Sequence, residues 1–183
     1  MAQKVPKTTI HMVASLDGFI AKPDKSIDWM HSQDMYEHGI ELSQKEINDF
    51  LAGIDCYVMG SKTYERALEL GWLYGDTPVV VLTSRKLKAI KDTVSSYSGD
   101  LTECIQNQLK IKYHNIWIVG GAALTREILR LRLADEIVVS IMPILIGGGK
   151  LFFEYIGMEQ PLHLLASKAY KDGMVELTYA IVK

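Results

Sequence analysis

Short apolar runs rich in β-branched residues alternate with segments of helical periodicity along most of the chain. Such an alternation predicts an α/β fold with a mostly parallel central sheet. The run at 116–119 is wholly apolar, which is typical of a strand that is buried on both faces. The predicted strands cover residues 8–15, 55–59, 78–82, 93–97, 116–119, 136–142, 162–170 and 175–182.

The last two predicted strands differ from the others because a turn signal separates them. Asp172-Gly173 lies between them and favours a tight hairpin, so we expect an antiparallel edge on the parallel sheet. Helical patterns are predicted at 41–51, 101–109 and 121–131, and Asp100 suits the N-cap of the second helix.

The composition is that of an ordinary globular domain. The 183 residues are 48% hydrophobic and 23% charged, and no Pro/Ser-rich linker divides them, so we expect a single domain over residues 1–183. A net charge of −2 excludes the usual electrostatic footprint of a nucleic-acid binder. Residues 1–7 lack the pattern of a secretory signal, and no apolar run is long enough to cross a membrane. We therefore expect a cytoplasmic protein whose Cys56 and Cys104 are reduced thiols.

Three junctions rich in glycine or hydroxyl groups follow predicted strands. Backbone amides at a helix N-terminus favour phosphate, and glycine lets an anion approach the backbone closely. Ligands collect at the carboxyl ends of strands in an open α/β sheet, so the three junctions together predict a ligand with several phosphates, such as NADPH. Each junction alone is equally typical of a tight turn or a solvated basic surface. The junction residues are Gly60, Ser61, Lys62 and Thr63; Thr83, Ser84 and Arg85; and Gly120, Gly121, Ala122, Ala123 and Leu124.

Two carboxylates are candidates for catalysis. Asp17 follows the first predicted strand, and Asp34 lies five residues after Trp29. A carboxylate in an apolar cleft has a raised pKa, and it is able to hold a hydrogen-bonding heterocycle or assist its protonation. Asp17-Gly18 is equally typical of a turn, and Asp34 of an exposed acid near the start of a helix.

Two other motifs suggest rival functions. The run 147–150, Gly-Gly-Gly-Lys, looks like the end of a phosphate-binding loop, but Met142 replaces the leading glycine, so we interpret the run as a flexible loop. His31, Asp34 and His38 have a spacing that would share one helical face. No HExxH motif or cysteine accompanies them, so we expect no bound metal.

Seven short motifs occur in a fixed order, and together they are more specific than any one of them alone. They are SLDGFIA at 15–21, DW at 28–29, VMGSKTYE at 58–65, VLTSR at 81–85, IVGG at 118–121, ADEIVVSIMP at 134–143 and IGGGKLF at 146–152. On these motifs the chain resembles the dihydrofolate reductase superfamily over nearly its whole length. Within that superfamily it is most similar to small bacterial proteins related to the C-terminal reductase domain of bifunctional riboflavin-biosynthesis enzymes.

The resemblance implies a dihydrofolate reductase-like sheet of about eight strands, with helices on both faces and NADPH across the carboxyl ends of the strands. Residues 60–63 would line the pyrophosphate and adenosine, and residues 83–85 would contact the adenosine ribose and its 2′-phosphate. Residues 119–124 would wrap the pyrophosphate and nicotinamide, with a cis peptide bond between Gly120 and Gly121.

The same resemblance assigns residues around the reacting rings. Val13 and Ile20 would flank the nicotinamide, Trp29 would line the cleft and Ser140 would lie near the pterin. Val119, within the predicted cofactor turn, stands where the riboflavin-pathway reductases carry a glutamate that helps to hold the substrate.

The sequence therefore predicts an NADPH-dependent reductase that transfers hydride to a pterin-like or other nitrogen-heterocyclic small molecule. The alternatives are a 5-amino-6-(5-phosphoribosylamino)uracil reductase of riboflavin biosynthesis and a non-catalytic NADP-binding protein of the same fold. The resemblance also suggests a homodimer, for which the apolar stretch 151–153 is either the interface or part of the core.

Overall fold

The computed structural model of the chain describes residues 5–183, and an eight-stranded sheet forms its centre. The sheet strands are β1 Lys7–Ser15, β3 Cys56–Gly60, β4 Val79–Leu82, β5 Val94–Tyr97, β6 Asn115–Gly120, β7 Glu136–Met142, β9 Leu162–Ala169 and β10 Val175–Ile181. The short strands β2 Phe19–Ala21 and β8 Lys150–Leu151 form a separate antiparallel pair. The order across the large sheet is β5-β4-β3-β6-β1-β7-β10-β9.

Six adjacent strands of the large sheet pair in parallel with one another. β1 lies between β6 and β7 and is parallel to both, while β3, β4 and β5 continue the parallel arrangement on the far side of β6. β10 is antiparallel to both β7 and β9, which confirms the predicted C-terminal hairpin. All six parallel strands end at the same side of the sheet, which we call the carboxyl edge.

Helices cover both faces of the sheet, as expected. They are α1 Gln44–Ala52, α2 Ser61–Glu69, a π-helical segment Glu103–Leu109 that continues into the short α3 Lys110–Lys112, and α4 Ala122–Arg130. On one face, Ile105 and Ile128 join the sheet residues Ile10 and Ile118 in the main core. On the other face, Tyr64 of α2 joins the smaller cluster around Met59.

Helix α1 is attached in a different way from the other long helices. None of its side chains is buried, although it carries Ile47 and Phe50. Ser43 and Glu46 form a reciprocal capping box, in which each side chain accepts a hydrogen bond from the backbone amide of the other. This cap begins the helix at residue 44, so the predicted start at 41 is wrong by three residues.

The other predicted helices and strands are present with local differences. Asp100 accepts a 2.8 Å hydrogen bond from the Glu103 amide at the predicted helix start, but the following residues are π-helical. In the apolar stretch 151–153, Phe152 is only 1% exposed and belongs to the core, whereas Leu151 and Phe153 are exposed. Within residues 5–183, no helix has the length and apolar character needed to span a bilayer.

The two cysteines both lie in the main core. Cys56 on β3 and Cys104 in the π-helical segment are both buried and free. Burial raises the pKa of Cys56 to about 12 and that of Cys104 to about 11, so both thiols stay protonated at neutral pH. They form no disulfide.

Candidate functional site

The three predicted phosphate-binding junctions lie side by side at the carboxyl edge. β3 ends at Gly60 and α2 begins at Ser61, while β6 ends at Gly120 and α4 begins at Ala122. β4 is the neighbour of β3 and ends at Leu82, next to Gly60 in register. Because β4, β3 and β6 are adjacent in the sheet, the topology brings together the three junctions, which are far apart in sequence.

The Gly120-Gly121 turn has the geometry of a close-approach surface. Its peptide bond is cis, as the resemblance implies, and Gly120 has a φ of 92°. A Cβ atom on Gly121 would lie 3.6 Å from the Thr63 hydroxyl and 4.0 Å from Nζ of Lys150. The turn therefore places the N-terminus of α4 beside Thr63 of α2 and beside a lysine from a distant loop.

Arg85 connects the junction after β4 to the start of α2. Its guanidinium donates hydrogen bonds of 2.7 Å to the Ser61 hydroxyl and to the Glu65 carboxylate. The backbone amide of Arg85 is held in turn by the Thr83 hydroxyl at 3.1 Å. The arginine is exposed and lies across the first turn of α2, so it faces the solvent side of the carboxyl edge.

A groove of about 310 Å³ opens beside Thr83 and Ser84. Its apolar walls come from Leu82 at the end of β4 and Leu124 of α4, and Tyr97 at the end of β5 also lines it. The groove is just large enough for one heteroaromatic ring system, since ligand pockets range from roughly 300 Å³ upward. It extends the row of junctions toward the β5 side of the sheet.

Asp17 is hydrogen-bonded to the glycine-rich loop. Its carboxylate accepts bonds from the Ser15 hydroxyl at 2.6 Å, the Gly147 amide at 2.7 Å and the Ile146 amide at 3.1 Å. The Ser15 bond above all, and then the two loop amides, lower the pKa of Asp17. These three hydrogen bonds tie the end of β1 to the loop that contains Ile146 and Gly147.

The loop that Asp17 holds carries Lys150, which the sequence analysis did not include among the site residues. Gly149 has a φ of 135° and packs so closely on the Ala21 carbonyl that no side chain fits there. The pairing of β8 with β2 then fixes Lys150, and its ammonium lies over the Gly121 turn. Within residues 5–183, Lys150 forms no ion pair with a carboxylate. The Gly-Gly-Gly-Lys run was the available signal, and its last residue begins the short strand β8 that pairs with β2.

Trp29 is buried beside the loop that follows β2. It is 4% exposed, and its indole nitrogen donates a 3.2 Å hydrogen bond to the Ser26 carbonyl. Asp28 next to it is bonded to Lys22 at 2.9 Å and to the Ser26 hydroxyl at 3.0 Å. These contacts fix the segment that the resemblance assigns to the wall of the cleft.

Asp34 lies on an irregular segment between the 3-10 helix Asp28–Met30 and α1, which begins at Gln44, rather than on a helix. Its carboxylate lies against Gly173 in the β9–β10 turn and close to Pro143, which directly follows β7. Asp34 is exposed and sits on the same side of the sheet as the carboxyl end of β7. It does not contact Asp17, so the two candidate carboxylates occupy separate places.

The remaining predicted residues lie on central strands. Val13 pairs with Ser140 across β1 and β7, and Ile20 on β2 packs against the main core. The Ser140 hydroxyl is 3.4 Å from Nε2 of His11. In the part of the chain that the structure describes, no cluster of metal-ligating side chains occurs, and His31 and His38 do not lie on a helix.

Comparison with known families decides where this architecture belongs. The family described as the RibD C-terminal domain matches residues 6–176. The chain belongs to the RibD C-terminal domain family. The family and the fold are those of reductases, so the row of junctions at the carboxyl edge lies in a reductase scaffold.

Individual relatives agree with this assignment. The chain is 30% identical over 176 residues to the uncharacterized protein YwjB of Bacillus subtilis, covering 94% of this chain and 97% of that protein. A protein of Shewanella sp. PV-4, provisionally assigned to riboflavin biosynthesis, superimposes with a TM-score of 0.82 at 24% identity, covering 97% and 99% of the two chains. Dihydrofolate reductase from Enterococcus faecalis, solved with NADP(H), superimposes with a TM-score of 0.64 at 16% identity and 97% coverage of both chains. These likenesses confirm the dihydrofolate reductase-like fold.

Proposed function

We propose that the protein is an NADPH-dependent reductase that transfers hydride to an electrophilic carbon of a pterin-like or other nitrogen-heterocyclic small molecule. The observation that carries the proposal is the convergence of three anion-friendly junctions and one lysine on the carboxyl edge. A dinucleotide with three phosphates is the ligand class that matches such a row of sites.

The described residues fit the cofactor along its whole length. The groove beside Thr83 and Ser84 would take the adenine, with Arg85 next to it for the 2′-phosphate. The amide groups at the starts of α2 and α4 would hold the pyrophosphate, and Lys150 would balance its charge. A side chain at Gly121 would occupy the space between Thr63 and Lys150, so the glycine keeps that space open.

When bound, NADPH supplies the hydride, and the protein supplies orientation and an apolar cleft. Val13 and Ile20 lie toward the end of the row that the nicotinamide would reach, and buried Trp29 restricts access of water. Asp34 is the free carboxylate that would hold a ring nitrogen of the substrate, while solvent would supply the proton that balances the added hydride.

A phosphoribosyl substrate is the second candidate, because the chain belongs to the RibD C-terminal domain family and Lys150 is a cation without a carboxylate partner among the described residues. Val119 in place of the family's glutamate favours the first candidate. Oxidation of NADPH with 7,8-dihydrofolate, compared with oxidation by a ribosylaminopyrimidine phosphate, separates the two.

A titration of the protein with NADPH, followed by nicotinamide fluorescence, tests the cofactor proposal. We expect binding in the micromolar range, weakened about 10-fold by Lys150→Met because one charge-assisted contact is lost. Lys112→Met, at the opposite edge of the sheet, is the matched control and should leave binding unchanged. No binding at high micromolar NADPH would end the proposal.

A further inference from the structure

A second cavity lies under α1, away from the carboxyl edge. Its volume is about 310 Å³, and its floor is formed by the amino-terminal halves of β1, β6 and β7. The side chains that line the floor include Thr9, His11, Trp117 and Val138, and Phe50 of α1 closes one side. Along β1, the lining residue nearest to Val13 is His11, two residues away, which corresponds to roughly 7 Å. None of the residues at 60–63, 83–85 and 119–124 lines the cavity, so it is separate from the row of cofactor junctions.

The cavity exists because α1 is fixed at its ends rather than by packing. The capping box at Ser43 and Glu46 holds its first turn. At its other end, the Gly53 carbonyl accepts a 2.7 Å hydrogen bond from the side chain of Asn115 on β6. Between these two attachments no side chain of α1 is buried, and Phe50 reaches the His11 and Trp117 rings, so the helix leaves part of the space beneath it open.

Three aromatic side chains in mutual contact form part of the lining. The rings of His11 and Trp117 are stacked with centroids 4.6 Å apart and an interplanar angle of 16°. Phe50 meets both rings edge-on, with centroids 5.5 Å from His11 and 5.4 Å from Trp117. The indole nitrogen of Trp117 donates a 3.1 Å hydrogen bond to the His11 carbonyl, which fixes the floor in place. A surface of this kind accepts a flat ring by stacking or edge contact.

The electrostatics of the cavity favour an uncharged occupant. Lys7 and Glu136 on its rim pair with each other at 2.9 Å, and Asp49 on α1 pairs with Lys45 of the same helix. Burial lowers the pKa of His11 to about 4, so its ring is neutral at physiological pH. A charged ligand would lose hydration here without gaining an opposite partner, which makes its binding unfavourable.

We propose that this cavity, which we call the α1 pocket, binds an uncharged, flat heteroaromatic molecule of one or two fused rings. The ring lies beside Phe50 and the His11–Trp117 stack, and its polar edge faces Thr9 and Asn115 at the rim. The ligand is a second molecule rather than part of the cofactor, because the pocket occupies the amino-terminal halves of the strands. The inference does not depend on NADPH binding.

The pocket is connected to the substrate side through one contact. His11 on its floor is 3.4 Å from the hydroxyl of Ser140, and Ser140 pairs with Val13. A ring that stacks on His11 would fix the imidazole and, through it, the rotamer of Ser140. Occupation of the α1 pocket would therefore affect the residues at which the substrate ring is expected.

The test follows the indole N–H signals of the intact chain by NMR during titration with benzimidazole at mildly alkaline pH, where the probe is uncharged. The chain has three tryptophans, Trp29, Trp72 and Trp117, and the signal of Trp117 is identified from the variant Trp117→Phe. We expect only the Trp117 signal to shift and to saturate below about 1 mM probe. Benzimidazole-5-carboxylate, which has the same rings and a negative charge, should bind at least about 10-fold more weakly.

Two substitutions on α1 provide the matched comparison. Phe50→Ala removes the aromatic wall and should weaken benzimidazole about 5-fold or more. Leu51→Ala, on the next residue of the same exposed helix and outside the pocket, should have no effect. Equal shifts of all three indole signals, equal binding of the carboxylate, or an unchanged affinity in Phe50→Ala would overturn the proposal. NADPH binding, measured in the same samples, reports separately on the cofactor site.

Discussion

The carboxyl edge and the surface under α1 lie on one sheet but are constructed differently. At the carboxyl edge, strands with fully buried residues such as Val58, Val81 and Ile118 lead directly into the junctions. Arg85 and Asp17 then tie neighbouring loops together by hydrogen bonds. Under α1, by contrast, the covering helix contributes no buried side chain, and Phe50 is 48% exposed.

The difference between these two regions indicates which half of the proposed site is determined by the topology of the sheet. In the proposed function, phosphate binding would use backbone amides and glycines, whose positions follow from the strand order, so that half is fixed once the sheet forms. Recognition of the substrate ring would use side chains such as Asp34, which lies on the irregular segment before α1. Relatives with the same sheet are therefore able to keep the cofactor and exchange the substrate.

The largest effect expected at the carboxyl edge comes from Gly149→Ala. The new Cβ would collide with the Ala21 carbonyl, and the φ of 135° is unfavourable for any L side chain. We expect a loss of about 4 kcal/mol in the free energy of unfolding, measured in urea. Gly148→Ala is the matched control, since its Cβ would meet no atom within 4 Å. Similar stability of the two variants would show that the loop is not rigid.

Under α1, the largest expected effect is a decrease in the free energy of unfolding as the pH falls. The folded protein keeps His11 neutral down to a pKa of about 4, whereas the unfolded chain protonates it near its ordinary value of 6.5. Stability is therefore complete above 6.5 and decreases as the pH falls toward 4, by on the order of 3 kcal/mol. His11→Phe should flatten this part of the urea stability profile, and exposed His31→Phe should not. An unchanged slope in His11→Phe would refute the assignment.

Arg85→Ala tests whether the adenosine end of the carboxyl edge binds the 2′-phosphate of NADPH. Arg85 directly follows Ser84, which lines the groove, and in the proposed function its guanidinium would bind the 2′-phosphate. Its loss should therefore weaken NADPH about 30-fold and NADH much less, because only NADPH carries the 2′-phosphate. Glu65→Gln, which frees the same guanidinium from its carboxylate partner, should tighten NADPH slightly. Fluorescence titrations measure the affinities of Arg85→Ala for NADPH and for NADH and the affinity of Glu65→Gln for NADPH. An equal loss for both cofactors would place Arg85 outside the phosphate site.

The smallest effect is expected from Asp17→Asn. Hydrogen bonds lower the pKa of Asp17, so its contribution to stability is present above about pH 4 and disappears as the pH falls through the folded-state value. The amide should reduce this acid dependence and accelerate hydrogen exchange at the Gly147 amide. Leu16→Ala, on the exposed neighbour, should change neither measurement. Slow exchange in Asp17→Asn would mean that other contacts hold the loop.

Much of the sheet was predictable because its strands are buried and strongly patterned. The strand predicted at 136–142 has the observed bounds, and the run at 116–119 is extended by one residue at each end to Asn115–Gly120. The boundary of α1 was missed because the capping box at Ser43, rather than the apolar pattern, determines where the helix begins.

The site was predictable in its backbone part and less so in its side-chain part. Glycines after apolar strands marked the junctions correctly in sequence. The position of Lys150 over Gly121 depends on a pairing between β2 and β8, two short strands about 130 residues apart, which no local pattern reveals. The expected location of Asp34 on a helix was wrong for the same reason, since its segment is fixed by contacts with the distant β9–β10 turn.

The two buried thiols allow the opening of the core to be measured by their alkylation. Cys56 and Cys104 are at most 1% exposed, and their raised pKa values leave almost no thiolate at neutral pH. Alkylating reagents attack the thiolate, so the native chain should be inert to them until the sheet and the π-helical segment separate. The rate at which iodoacetamide alkylates these two thiols therefore reports how often the core opens. Any ligand that binds the folded chain should lower this alkylation rate.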